Sequence, residues 1–107
     1  MDNNIKNLRK QIMTIDKKII KLLKNRICLS NKIGMIKNQR GLKIKDLEQE
    51  KRILAQTKNT PHDPIPTKDL IKIFTSIIKI CRQSQKKLKK YHSIQKDGEK
   101  NDYCNEK

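Results

Sequence analysis

The sequence predicts an all-α protein, with three helices per chain (one long, one short and one of medium length) packed as a two-fold homodimeric bundle. Three observations carry that expectation. An apolar residue recurs every seven positions through the first third of the chain, all three prolines gather in one connection, and the first helix is too long for a domain of its own size. With 107 residues, 34 % apolar and 3 % aromatic, one chain has material for a single domain with a thin core.

Residues 4–38 read as the first helix. Ile5, Ile12, Ile19 and Ile33 hold one heptad position and Leu8, Ile15, Leu22, Leu29 and Ile36 the other, with Arg26 in the remaining slot. Gly34 is the only weak point in the stretch. Thirty-five helical residues span about 52 Å, whereas a compact 100-residue domain has a radius of gyration of about 13 Å. The excess must be covered, and the economical cover is a second copy of the same helix.

Gln39 to Lys43 breaks the period and supplies a turn glycine, Gly41. A short amphipathic helix over residues 45–58 follows, with Leu47, Ile53 and Leu54 as its inner face. Pro61, Pro64 and Pro66 mark the next connection, and Thr67 is placed to cap a third helix ending near Tyr91. Leu70, Phe74, Ile77, Cys81 and Leu88 share one stripe of it. The expected domain covers residues 1–92. Residues 93–107 form a polar tail with little to bury, expected to be disordered.

The net charge of +16 raises nucleic acid as a partner. Composition weakens that inference: Lys (22), Ile (17) and Asn (9) dominate while Arg occurs five times, a biased usage rather than a pattern of phosphate contacts. Phe74, Tyr91 and Tyr103 are too scattered to make a stacking platform. Cys28, Cys81 and Cys104 lack metal-ligand spacing and by themselves imply neither a zinc site nor a disulfide framework. Neither an apolar leader core nor a membrane-length run is visible, so a cytoplasmic setting is expected. His62 and His92 are not placed to serve a nucleophile, and the glycines form no phosphate loop.

Polar groups on or beside the apolar stripes are the chemical signal. Arg26 occupies the seam itself, and an unpaired guanidinium taken out of water costs several kcal/mol, so it needs an anion. Arg9 and Lys37 flank the seam, Asp46 and Glu50 lie four apart on the second helix, and Gln85 stands where an aliphatic residue is expected on the third. Singly, each has a bland explanation: flanking lysines and arginines snorkel, a carboxylate at a helix start favours the dipole, and a seam cation can fix register. Together, on three helices, they describe a polar pocket for an acidic small molecule. Lys37 lies about 16 Å along the helix from Arg26 and Arg9 about 25 Å. Arg9 therefore reaches such a pocket only from the second chain of an antiparallel pair.

The run LRKQIMTIDKKIIKLLKNRICLSNKIGMIK, the Asp46-x-x-x-Glu50 pair and IFTSIIKICRQSQ together resemble the all-helical chorismate mutases over residues 5–88. The resemblance implies an intertwined homodimer that isomerises chorismate to prephenate on the route to phenylalanine and tyrosine, with no cofactor or metal. It implies that Arg26 and the second chain's Arg9 bind the substrate carboxylates, and that Lys37 and Gln85 meet the ether oxygen. It further assigns the ring hydroxyl to Glu50 and the neighbourhood of Asp46. Two positions depart from it: Cys81 stands where many relatives carry Ser, weakening a contact to a carboxylate, and Gln49 stands where Arg commonly precedes the Glu. A lyase of the same fold acting on isochorismate, a basic nucleic-acid-binding module and a purely structural helical dimer are the competing expectations.

Overall fold

The computed structural model describes residues 2–94, with side chains described for residues 3–87; the tail expected from Ser93 onward falls almost wholly outside them. Among the described residues the secondary structure is entirely helical: α1 (Asp2–Gln39), α2 (Leu47–Asn59) and α3 (Thr67–Ile94). The helices are each a residue or more off the expected bounds, the ordinary uncertainty of reading ends from pattern.

α3 is the middle element, contacting both α1 and α2. Arg26 with Cys81 and Ser30 with Gln85 rise together in number, so α1 and α3 run parallel, and Glu50 with Arg82 ties α2 to α3. The buried core is small: Cys28, Leu70, Ile78 and Cys81, together with the polar Asn31, Thr57 and Gln85. Asn31, 1 % exposed, accepts a hydrogen bond from the Ser84 hydroxyl at 2.9 Å, which satisfies its buried amide oxygen. At Gly34 α1 and α3 approach closely, since a Cβ there would stand 2.9 Å from Gln85 Cγ.

α1 has two faces. The core side uses Cys28, Asn31 and Gly34, while the heptad seam as far as Leu22 is left uncovered. Ile5, Leu8, Ile12, Ile15, Ile19 and Leu22 are 49–66 % exposed, and every residue from 3 to 22 is exposed. Thirty-eight residues make α1 about 57 Å long at 1.5 Å per residue, close to the 58 Å long dimension of the molecule. The N-terminal half overhangs the remainder, as its length predicted.

Local signals fix the ends that matter to the site. Gly41, at φ 70°, closes α1 in a Schellman turn: its N–H donates to Asn38 O and the Leu42 N–H to Lys37 O. Asp46 caps α2, accepting from the Gln49 N–H at 3.2 Å, so the helix begins at Leu47 rather than at Lys45. Leu47, expected on the inner face, is 58 % exposed because the first residue after the cap precedes the turn that meets α3; Ile53 and Leu54 are half-buried. Thr67 is not the cap of α3. The Pro66 carbonyl accepts from Asp69 and Leu70, making Thr67 the first helical residue, and the Thr67 hydroxyl lies 2.8 Å from His62 Nε2. No described helix is long and apolar enough to cross a membrane.

Candidate active site

Between the second half of α1, the start of α2 and the middle of α3 lies a cavity of about 290 Å³. Arg26, Lys37, Asp46, Glu50, Cys81 and Gln85 all line it, against apolar walls of Leu29, Ile33, Ile53 and Ile78. That is near the lower size for a small-molecule site, and the mixture is characteristic: apolar walls with a few polar groups converging.

Each polar group is held by its element. Arg26, half-buried on α1, donates from Nη1 to the Cys81 thiol at 3.0 Å and has no carboxylate partner among the described residues. A thiol is a weak acceptor, so most of the guanidinium's donor capacity stays available. Cys81 therefore contacts the cation directly, a role sequence alone did not reveal. Lys37, in the last turn of α1, donates to the Ile44 carbonyl at 3.3 Å; the Schellman turn folds residues 42–44 back over it. It too lacks a carboxylate partner among the described residues. Gln85, 8 % exposed, donates from Nε2 to the Ser30 carbonyl at 2.6 Å, which fixes the amide with one N–H left over.

The carboxylates are already engaged. Asp46 serves the α2 N-terminus, and Glu50 Oε2 accepts from Arg82 Nη1 at 2.6 Å across to α3. Arg82 also lines the cavity and was not singled out from the sequence; its basic side chain on a lysine-rich helix gives no pattern until α2 is packed beside it. Gln49, the other departure, lines the cavity as well and accepts from Arg52 at 3.2 Å. Arg9 is not brought to the cavity. It is exposed on the overhang of α1, about 25 Å along the helix from Arg26.

Charge around the cavity is thus uneven. Glu50 is offset by Arg82 and Asp46 by helix N–H groups, which leaves Arg26 and Lys37 as uncompensated cations in an apolar-walled space. Such a space attracts an anion.

Residues 8–86 match the family model described as chorismate mutase type II. The chain belongs to this family. A bifunctional chorismate mutase/prephenate dehydratase of Aquifex aeolicus is 36 % identical over 89 residues, covering 79 % of this chain and 25 % of that protein. A chorismate mutase of Methanocaldococcus jannaschii is 34 % identical over 87 residues, covering 80 % of this chain and 88 % of that one. The chain therefore spans about a quarter of the first relative and most of the second. No solved structure matches it. Family membership agrees with the all-helical architecture and supports chorismate mutase activity, an isomerisation; nothing in these matches favours the lyase or the nucleic-acid reading.

Proposed function

We propose that this chain isomerises chorismate to prephenate as an antiparallel homodimer whose two equivalent sites each draw on both chains. The observation that carries the proposal is the pair of cations, Arg26 and Lys37, that line the cavity without a carboxylate partner among the described residues. A dicarboxylate supplies what they lack.

The reaction is an intramolecular rearrangement in which a C–O bond breaks as a C–C bond forms, so neither nucleophile nor proton carrier is required. The protein's work is to hold the compact conformer and to stabilise negative charge growing on the ether oxygen. In the proposed assignment Arg26 of one chain and Arg9 of the other grip the substrate carboxylates, using the planar fork suited to them. Lys37 and the second N–H of Gln85 address the ether oxygen, where each donor contributes about 3 kcal/mol to the barrier reduction in a water-poor pocket. Glu50 accepts from the ring hydroxyl, with Asp46 beside it at the start of α2. Cys81 supports Arg26 from behind.

The dimer is part of the same reading. Support comes from the exposed isoleucine and leucine seam of α1, a continuous apolar face that water-facing helices do not normally carry. In an antiparallel crossing near Ile19 and Ile20, Arg9 of one chain comes opposite the Arg26 to Lys37 interval of the other. A cytoplasmic location belongs to the proposal and is checked by cell fractionation. The activity is tested by the loss of chorismate absorbance with wild type and Arg26→Ala, alongside isochorismate as a second substrate. Turnover of chorismate that vanishes with Arg26→Ala is expected; a folded wild-type protein without turnover overturns the proposal.

A further inference from the structure

We infer that Arg82 is a positioning residue: it holds Glu50 on the α2–α3 wall so that the second carboxylate oxygen is presented to the substrate's ring hydroxyl, and it keeps Glu50 away from Arg26 and Lys37. The inference rests on the mutase reading above and deepens it.

The contact is short and one-pronged. Arg82 Nη1 meets Glu50 Oε2 at 2.6 Å, and Glu50 Oε1 has no protein donor among the described residues. Both side chains are partly buried, at 22 % and 23 % exposed, and both line the cavity. A charge-assisted bond in such surroundings fixes one geometry more firmly than the same pair in open solvent. One oxygen is held and the other is left to accept.

The alternative partners make this placement matter. Arg26 and Lys37 border the same cavity and are uncommitted to any carboxylate among the described residues. A Glu50 released from α3 has reason to turn toward them, and it then cancels the positive charge that the substrate's carboxylates require. Arg82 removes that competition by satisfying Glu50 from α3. It also returns a guanidinium to a rim where Gln49 stands in place of the Arg expected from the resemblance. A helix tie between α2 and α3 with no bearing on the substrate is the opposing explanation.

The test compares chorismate with its analogue lacking the ring hydroxyl, for wild type, Arg82→Met, Arg82→Lys, Glu50→Gln and the Arg82→Met/Glu50→Gln double variant. Loss of a hydrogen bond held by a charged group predicts a fall of about 10- to 100-fold in kcat/KM for chorismate with Arg82→Met. Preference for chorismate over the analogue should collapse with it, Arg82→Lys should recover part of both, and the double variant should be no worse than Glu50→Gln alone. Should Arg82→Met not fold, the preference measured in Arg82→Lys and Glu50→Gln decides, both being expected to fall below wild type. Undiminished preference in folded Arg82 variants, or losses that multiply in the double variant, overturns the inference alone. A wild-type protein inactive on chorismate overturns it together with the mutase reading.

Discussion

Replacing Arg26 with leucine should separate activity from stability. In the folded chain Arg26 contributes one bond to a thiol, has no carboxylate partner among the described residues and is half-buried beside Leu29 and Ile33. Leucine relieves the partial desolvation of an unmatched charge and loses only a weak sulfur contact, so unfolding stability should stay within about 1 kcal/mol of wild type, with a gain as readily as a loss. Turnover should respond quite differently. Two hydrogen bonds from a guanidinium to a substrate carboxylate, at about 1.5–3 kcal/mol each, amount to a loss of about 10²- to 10⁴-fold in kcat/KM. Urea titration followed by circular dichroism gives the first quantity and continuous loss of chorismate absorbance the second. A variant as active as wild type, or one whose lost activity is matched by more than about 2 kcal/mol of lost stability, would refute the assignment of Arg26 to the ligand rather than to the fold.

Three further outcomes are expected. Gln85→Glu should be active only at acid pH, because the protonated acid keeps one O–H that can donate to the ether oxygen in place of the amide's second N–H, giving up the bond to Ser30, whereas the carboxylate faces the Ser30 carbonyl and the ether oxygen as a repelling acceptor; a pH–rate profile rising as pH falls checks the sign. Gly34→Ala should lower the melting temperature despite alanine's better helix propensity, since its Cβ would stand 2.9 Å and 3.1 Å from Gln85 Cγ and Cβ, and overpacking of that kind costs about 1–3 kcal/mol against a propensity gain of about 1. Ile12→Asp, at a site 56 % exposed in the single chain, should leave a monomer's helices intact yet abolish both dimer and activity, as read by sedimentation and the chorismate assay.

The fold was legible because its strongest signals are long. A heptad sustained over some thirty residues and a proline-marked connection need no tertiary information, and the length of α1 alone implied an overhang. The internal face of α1 was not legible. Cys28, Asn31 and Gly34 are small or polar, so they leave no hydrophobic stripe, although all three are buried and Asn31 and Gly34 meet Ser84 and Gln85 of α3. The polar groups of the cavity stood out where they interrupt an apolar pattern, as Arg26 does on α1 and the Gln85 amide does on α3. Arg82 interrupts nothing: among 27 Lys and Arg residues it acquires meaning only from the distance to Glu50, a relation between two residues 32 apart in sequence on different helices. Asp46 was read as a carboxylate favouring the helix dipole or as a ligand contact; the structure makes it the cap of α2 and keeps it on the cavity wall.

A mixing experiment tests most directly whether each site needs two chains. Arg9→Ala and Arg26→Ala are each expected to be inactive as homodimers, but in a mixed dimer one site regains both arginines and the other loses both. Equal amounts, unfolded and refolded together, form mixed dimers in half of the population with one intact site of two, so about a quarter of wild-type activity should return. Failure of any activity to return in a mixture shown to contain mixed dimers would contradict a site shared between chains.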